Sequence, residues 1–365
     1  MDQHEIDRVY YQCNRFLTHH YVQSPRQALI DLADAIDDDA RLDTYGKGDI
    51  IESFERRVAD LLGKEDAVFL PSGTMAQQIA LRIWTTRSGL PTVAMHPRNH
   101  LDAFEHNAYE ILHGLRGIRV GSPDKVLTLD ALKAVPEPIG ALLLELPQRE
   151  IGSQLPAWDD LVATSDWARS RSIPLHMDGA RLWESRPFYG RDYAEICANF
   201  DSVYVSFYKT LGALAGAALA GPADVIAEAR LWQHRHGGRL IRAYPYIISA
   251  QQALDQRLDK MDAYHAKAVA IANVLRDLPG VEIVPDPPHT NMLHVYLRGD
   301  RERLISAALA VAEETGTFLV SRLNDTPLPN WHKTELTFGD ATLDLPDDTI
   351  RSLFEQWLER AAVAE

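Results

Sequence analysis

The chain has 365 residues, of which 46% are hydrophobic and 24% charged, and 37 basic against 52 acidic side chains give it a net charge of −15. This length favours two domains, and the composition excludes a disordered or low-complexity chain. A protein this acidic is a poor candidate for coating nucleic acid or an anionic membrane, although a local pocket can still oppose the global charge and bind an anion.

The cysteines and the N-terminus bear on the compartment. Cys13 and Cys197 form no metal-ligand spacing, and so few cysteines favour a reducing cytosol. The first 16 residues are polar and charged, unlike a signal peptide, and the most apolar stretch, residues 211–221, is too short to span a bilayer. We therefore expect a cytoplasmic protein without a metal site or a membrane partner.

The predicted elements begin with an N-terminal arm and a helix over residues 25–36. Asp49 is predicted to cap the next helix, because Glu52 follows three residues later, apolar side chains share one face, and Gly63 ends it. Strands then alternate with helices. The predicted strands span residues 67–70, 141–146, 173–177 and 203–207, and the predicted helices span residues 75–84 and 158–171.

The pattern changes near residue 246, where a long helix, 248–275, leads into a second α/β unit. That unit contains strands near 281–284, 292–297, 318–323 and 334–338 and helices at 301–314 and 347–361. We predict an arm and helix at 1–35, a large domain at 36–245 and a smaller C-terminal domain at 246–365. The alternation predicts an α/β fold with a mainly parallel sheet, right-handed crossovers and helices on both faces.

Three segments follow predicted strands, at the sheet edge where open α/β folds bind ligands. In the first, Ser72, Gly73 and Thr74 precede a helix whose free amides and dipole suit a phosphate. Gly73 lets the backbone approach closely, and the two hydroxyls can add donors. Taken alone, this segment favours an ordinary capped helix.

The other two segments contain Asp178 and Lys209. An acid at a strand end can face a pyridine nitrogen and keep it protonated, and an apolar setting makes a lysine nucleophilic enough to form a Schiff base. Taken alone, Asp178 also fits an ordinary Asp-Gly turn, and Lys209 also fits a lysine whose side chain extends to solvent from the end of a strand. The order of phosphate turn, acid, and a lysine 31 positions after the acid predicts a pyridoxal phosphate (PLP) site.

Four blocks, residues 43–46, 63–74, 176–183 and 206–216, resemble motifs of the low-specificity threonine aldolase and β-eliminating lyase family of PLP enzymes. The resemblance covers roughly residues 40–250 and implies the aspartate-aminotransferase-like fold. It implies that Lys209 forms the Schiff base, that Asp178 pairs with the pyridinium, and that Gly73 and Thr74 bind phosphate. His100 matches a histidine that stacks on the cofactor ring, although a surface histidine in a polar loop is the plain alternative.

Further roles follow from the same resemblance. Arg181 would lie beside the cofactor and the substrate carboxylate. Tyr45 would reach the site of a neighbouring subunit, since family members build their sites at a dimer interface, so we expect a homodimer or homotetramer. A basic, glycine-rich segment near the phosphate falls on residues 235–242 here, and the sequence does not select among Arg235, Arg239 and Arg242.

The chain departs from the family pattern in three places. Residues 15–18 read Arg-Phe-Leu-Thr instead of Arg-Ser-Asp-Thr, residues 333–338 lack the arginine that precedes a Thr-His pair, and Leu-Pro-Gln-Arg-Glu at 146–150 replaces Asn-Thr-His. Two expected contacts to the substrate carboxylate and one histidine are therefore missing. Arg149 or Arg322 could supply a replacement guanidinium.

The leading hypothesis is retro-aldol cleavage of a β-hydroxy-α-amino acid to glycine and an aldehyde, with His100 or a bound water as the base. The same cofactor also serves β-elimination, transaldol exchange and transamination. An interpretation from another class is a catalytically idle PLP-fold protein kept for binding or assembly. The presence of both Lys209 and Asp178 argues against that last interpretation.

Overall fold

A computed structural model describes residues 3–37, 39–320 and 322–362. The α-helices, in chain order, are α1 Gln3–Gln12, α2 Pro25–Asp34, α3 Asp49–Leu62, α4 Gly73–Ser88, α5 His100–Phe104, α6 Ala108–His113, α7 Leu129–Lys133, α8 Trp158–Ser170, α9 Arg186–Tyr189, α10 Tyr193–Cys197, α11 Ala223–Arg235, α12 Tyr244–Arg257, α13 Met261–Leu275, α14 Arg301–Thr315, α15 Asp340–Leu343 and α16 Asp347–Ala362. The strands are β1 Arg15–Phe16, β2 Asp66–Leu70, β3 Thr92–Met95, β4 Arg116–Arg119, β5 Ala141–Glu145, β6 Leu175–Gly179, β7 Ser202–Ser206, β8 Ala217–Gly221, β9 Val281–Val284, β10 Met292–Arg298, β11 Thr317–Phe318, β12 Asn324–Asp325 and β13 Trp331–Thr337.

The chain divides into two compact units, one of Ser24–Asp259 and one that joins Met1–Gln23 to Lys260–Glu365. The boundaries of these units differ from those predicted for the domains, which lie after residues 35 and 245. The N-terminal arm groups with the C-terminal residues because β1 pairs with β11 in parallel. Within the described residues, no helix is long and apolar enough to cross a membrane.

The larger unit is built on a seven-stranded sheet with the order β2-β8-β7-β6-β5-β3-β4. Strands β4, β3, β5, β6 and β7 run parallel, whereas β8 is antiparallel to both of its neighbours. The residues of β6, β7 and β8 are buried throughout, as expected for strands covered on both faces. The sheet is therefore mainly parallel, as predicted, and its carboxyl edge gathers the ends of β5, β6 and β7.

Helix α3 has an N-terminus that differs from the prediction. Gly48 is its N-cap and no side chain caps it, so the prediction that Asp49 caps this helix is wrong. Asp49 is instead its first residue, where a carboxylate interacts favourably with the positive end of the helix dipole. Glu52 accepts a hydrogen bond from the Gly48 amide at 3.3 Å, and Gly63 ends the helix in the left-handed conformation, as predicted.

The smaller unit packs helices against an antiparallel sheet with the order β12-β13-β10-β9. Its core includes Leu293 and Leu336, which pair across β10 and β13, together with Phe354 and Trp357 of α16. Of the predicted strand 318–323, only Phe318 lies in a strand, β11, and Ser321 lies outside the described residues.

The long helix predicted over residues 248–275 is interrupted. Helix α12 ends at Arg257, a short 3-10 turn spans Leu258–Lys260, and α13 begins at Met261. The break coincides with the boundary between the two compact units. No proline or glycine lies in this stretch, so the sequence carries no local signal for the break.

Candidate active site

The candidate site lies at the carboxyl edge of the seven-stranded sheet. Asp178 is near the end of β6, and Lys209 follows three residues after β7, the next strand of the sheet. Because parallel neighbours end at the same edge, the fold brings together the acid and the lysine that the sequence separates by 31 positions.

Lys209 sits in a tight loop between β7 and β8. Its carbonyl accepts a hydrogen bond from the Gly212 amide at 2.9 Å, and Gly212 has a φ of 77°, which favours glycine. Burial lowers the pKa of Lys209, and the nearby charge of Arg181 lowers it further, against the opposing effect of Asp178 and Glu145. A lysine in this setting loses its proton more readily than a surface lysine and is a better nucleophile.

Asp178 is almost fully buried, with 3% of its surface exposed. One carboxylate oxygen accepts a hydrogen bond from the Ala180 amide at 3.1 Å. Burial raises the pKa of Asp178, whereas Lys209 and His100 oppose this by favouring the charged form. A buried carboxylate whose charge depends on neighbouring cations is a suitable partner for one further cationic group.

The phosphate turn predicted from the sequence forms the N-terminus of α4. Ser72 is its N-cap, and its hydroxyl oxygen accepts a hydrogen bond from the Met75 amide at 3.3 Å. Gly73 is packed so closely that a Cβ there would lie 1.9 Å from the hydroxyl oxygen of Tyr204. The amides of Gly73 and Thr74 precede the first hydrogen bond of the helix and point out of its end, as anion-binding amides do.

His100 is the first residue of α5, and its Nδ1 lies 3.2 Å from Oε1 of the buried Glu105. Burial by itself lowers the pKa of His100, but the hydrogen bond to Glu105 and the charge of Asp178 outweigh it, so the pKa is raised. The ring also contacts Phe104, with a centroid distance of 5.1 Å. His100 is therefore part of the same electrostatic cluster as Asp178 and Lys209, and is not an isolated surface histidine.

Two arginines named from the sequence also act on Lys209, since both lower its pKa. The guanidinium of Arg149 lies over the ring of Phe104, 5.4 Å from its centroid, and is 3.2 Å from Glu150. Arg181 is more deeply buried and lies 3.4 Å from the fully buried Glu184, whose carboxylate also accepts a hydrogen bond from Thr210.

Glu145 is a site residue that the sequence analysis missed. It is the register partner of Asp178 on the adjacent strand. Burial raises the pKa of Glu145 to about 7, and the charge of Asp178 contributes in the same direction. The available signal was an acid that ends the apolar run Ala141–Leu144, the same pattern that identified Asp178.

The remaining candidates are Tyr45, the basic segment 235–242 and Arg322. Gly238 of that segment packs against the residues that flank the phosphate turn, since a Cβ there would lie 2.3 Å from Sδ of Met75 and 3.4 Å from Cδ of Pro71. Tyr45 is half exposed, and its segment is held by hydrogen bonds from Arg239 to the Tyr45 carbonyl and from Arg242 to Thr44. Arg235 stacks on Trp232 at 4.5 Å. The basic segment that carries these arginines therefore borders the turn at Ser72–Thr74. Arg322 is exposed and belongs to the other compact unit.

The donor set fits PLP. It combines a glycine cradle that a Cβ would fill, a buried carboxylate that takes a cationic partner, and a lysine with a lowered pKa. Across the part of the chain that the structure describes, no group of three or more His, Cys, Asp or Glu residues has an arrangement that could hold a metal ion.

Comparisons with known proteins identify the family of the chain. A sequence model of the family described as β-eliminating lyase matches residues 24–299. The crystal structure of a putative aromatic amino acid β-eliminating lyase/threonine aldolase from Exiguobacterium sp. 255-15 is 42% identical, covers 98% of this chain and 99% of its own, and superposes with a TM-score of 0.93. That of a putative L-allo-threonine aldolase from Listeria monocytogenes EGD-E is 39% identical with the same coverage and a TM-score of 0.94. The low specificity L-threonine aldolase of Escherichia coli K12 is 30% identical over 259 residues, which are 69% of this chain and 76% of that protein.

Proposed function

The chain belongs to the β-eliminating lyase family, and from that premise we propose that it is a PLP-dependent lyase that cleaves a threonine-like β-hydroxy-α-amino acid to glycine and an aldehyde. The observation that carries the proposal is the placement of Asp178 and Lys209 at the carboxyl edge of two neighbouring parallel strands, with His100 near enough for its charge to act on Asp178. Relatives named as threonine aldolases support the choice of the retro-aldol reaction among those the cofactor serves.

Each part of the cofactor would meet its own protein group. The amides of Gly73 and Thr74, with the hydroxyls of Ser72 and Thr74, would hold the phosphate at the start of α4. Asp178 would hold a proton on the ring nitrogen, and Lys209 would attach the cofactor through its Nζ. When bound, PLP supplies an electron sink for the pair released as the Cα–Cβ bond of the substrate breaks.

His100 is the side chain we assign to the β-hydroxyl proton. Its hydrogen bond with Glu105 fixes the ring and leaves Nε2 as the atom that can meet the substrate. The carboxylate of Glu105 also stabilises the charged imidazolium that forms when His100 accepts a proton. Lys209, with its lowered pKa, can return a proton to Cα once the aldehyde has left.

Arg149 and Arg181 are the groups we assign to the substrate carboxylate. Both carry charges that act on Lys209, which supports their placement around one ligand. A guanidinium can hold a carboxylate through two parallel hydrogen bonds and so fix the orientation of the Cα–Cβ bond. Arg149 would replace the carboxylate contacts that the family resemblance implies and that residues 15–18 and 333–338 do not provide.

An aldehyde-release assay tests the proposal. Wild-type protein reconstituted with PLP is incubated with threonine and with allo-threonine, and glycine and acetaldehyde are measured together. Equal amounts of both products, absent with Lys209→Ala, are the expected result. Release of neither product from any β-hydroxy-α-amino acid would contradict the proposal.

A second candidate function is β-elimination, favoured by the relative from Exiguobacterium that is named as both kinds of enzyme. The same site would then expel a leaving group from Cβ without breaking the Cα–Cβ bond. Formation of pyruvate and ammonia from β-chloroalanine, faster than release of acetaldehyde from threonine, would favour this function.

We also propose that the enzyme works as a homo-oligomer in which Tyr45 enters the site of a neighbouring subunit. Tyr45 is half exposed, and its backbone is fixed by a hydrogen bond from its amide to the Ile241 carbonyl at 3.2 Å. Mixing Tyr45→Ala with Lys209→Ala subunits tests this arrangement. Recovered activity is expected, because a hybrid assembly contains one site with both residues intact.

A further inference from the structure

Glu145 faces the same side of the sheet as Asp178. The two residues are Cα partners on the parallel strands β5 and β6, and side chains paired in this way leave the same face of a sheet. Lys209 and His100 both act on the Glu145 carboxyl, as do Asp178 and the Arg149 backbone. A second acid therefore enters the candidate site beside the predicted partner of the cofactor nitrogen.

The Glu145 carboxylate holds the two residues that begin the next turn. Its Oε1 accepts a hydrogen bond from the backbone amide of Arg149 at 3.1 Å, and its Oε2 accepts one from Nε2 of Gln148 at 3.1 Å. Gln148 is buried, and its Nε2 also donates to the Arg98 carbonyl at 2.9 Å. The end of β5 is thereby joined to its own turn through a side chain.

The turn is closed at its other end by the backbone. The Gln148 amide donates to the Gln154 carbonyl at 2.9 Å, and a 3-10 turn spans Arg149–Ile151 between them. The backbone at Arg149 is thus held by hydrogen bonds of Glu145 and Gln148, while the Arg149 side chain extends over Phe104. This segment, residues 146–150, is one of the three places where the sequence departs from the pattern of the family that it resembles.

Two-point binding of a carboxylate requires a guanidinium that is held in one orientation, because freedom of its backbone costs affinity when the ligand binds. Arg149 lies on a turn, where backbone freedom is greatest, and Glu145 supplies the hydrogen bond to its amide. We propose that Glu145 is a positioning residue, which acts through the Arg149 backbone to aim that guanidinium at the substrate carboxylate. This inference rests on the proposed function of the site.

The chemistry of the Glu145 carboxyl agrees with such a role. The Arg149 amide lowers the pKa of Glu145, against burial and the charge of Asp178, which raise it. The hydrogen bond to Arg149 therefore favours the ionised form, which is also the stronger acceptor for that amide.

A double-mutant cycle on the PLP-loaded enzyme tests the inference. Kinetics with threonine are measured for the wild type, Glu145→Ala, Arg149→Ala and the double variant, with Glu145→Gln beside them. Glu145→Ala should raise KM about 10- to 100-fold with kcat changed by less than about threefold, and cofactor affinity retained. Glu145→Gln should show a smaller rise in KM than Glu145→Ala, because the oxygen of its side-chain amide can still accept a hydrogen bond from the Arg149 backbone amide.

The decisive result is the double variant. If Glu145 acts through Arg149, substitution of Glu145 causes no further rise in KM in the Arg149→Ala background. The inference would be overturned if the rises in KM caused by the two single substitutions multiplied in the double variant. It would also be overturned if Glu145→Ala lowered kcat and left KM unchanged. Glu145→Gln replaces Glu145→Ala in the cycle if the alanine variant does not fold.

A control and a second readout separate this inference from the proposed function. Glu137→Ala removes a partly exposed acid that pairs with Arg116, and should leave the kinetics unchanged. If the wild type released no aldehyde, the proposed function would fail. The cycle would then be read from the dissociation constant of glycine, followed by the visible absorption of the bound cofactor.

Discussion

Glu145 and Asp178 are paired residues on adjacent parallel strands, so two acids leave one face of the sheet side by side. Their environments differ: Asp178 is almost fully buried and accepts a hydrogen bond from the Ala180 amide, whereas Glu145 is partly exposed and bonds to the next turn. Pairs of acids in unlike settings commonly divide their tasks. Here Asp178 is assigned to the cofactor and Glu145 to the turn that carries Arg149.

Asp178→Asn removes the charge and keeps the shape of the side chain. We expect kcat to fall about 100-fold or more, because a neutral amide cannot hold a proton on the facing ring nitrogen. Steady-state kinetics with threonine, at saturating cofactor, measure the effect. Activity within threefold of the wild type would show that Asp178 does not have this role.

Gly73→Ala should disturb the start of α4. Its Cβ would lie 1.9 Å from the hydroxyl oxygen of Tyr204, whose ring is buried and cannot easily move away. We expect a loss of about 1–3 kcal/mol in the free energy of unfolding, the usual cost of overpacking, together with weaker binding of cofactor. Urea denaturation and PLP titration measure the two effects. Wild-type values for both would contradict the packing described for this turn.

His176, two residues before Asp178, predicts a pH dependence of stability. Its ring is fully buried, with Nε2 2.8 Å from Oε1 of Gln77, and with Nδ1 2.8 Å from the Ser202 hydroxyl oxygen and 3.2 Å from the Ser202 carbonyl oxygen. Burial lowers the pKa of His176 to about 3.

The sign follows from proton binding. Between pH 6.5 and 3 the unfolded chain protonates His176 and the folded chain does not, so stability falls as pH decreases. From pH 7.5 to 5 this amounts to about 2 kcal/mol. His176→Gln should remove that part of the slope in urea denaturation, whereas substitution of the exposed His234 should retain it. Equal slopes for all three proteins would show that His176 titrates normally.

Arg149→Ala should raise KM about 10- to 100-fold, the loss expected for a hydrogen-bonded charge pair with the substrate carboxylate. The KM of Arg149→Lys should lie between those of the wild type and Arg149→Ala, since a lysine keeps the charge but not the two-point geometry. Arg322→Ala is the matched comparison, because the sequence offered both arginines. A larger effect at Arg322 than at Arg149 would transfer the carboxylate role to the other compact unit.

Much of the site could be predicted from local sequence signals. The strand–turn–helix around Ser72 and the strands that precede Asp178 and Lys209 follow from apolar runs bounded by polar residues. The apolar run that ends at Glu145 marks an acid at a strand end, but its pairing with Asp178 could not be predicted, because the pairing depends on which strands are neighbours and on their register. The antiparallel β8 and the break before Met261 were missed for a related reason, since tertiary packing sets both without a local signal.

The central claim is that Lys209 carries the cofactor, and chemical trapping tests it most directly. The protein is loaded with PLP, reduced with borohydride, digested, and its peptides are identified by mass spectrometry. The account predicts one modified residue, Lys209, and no modification in Lys209→Ala. A cofactor attached at another lysine, or no attachment to the wild type, would contradict it.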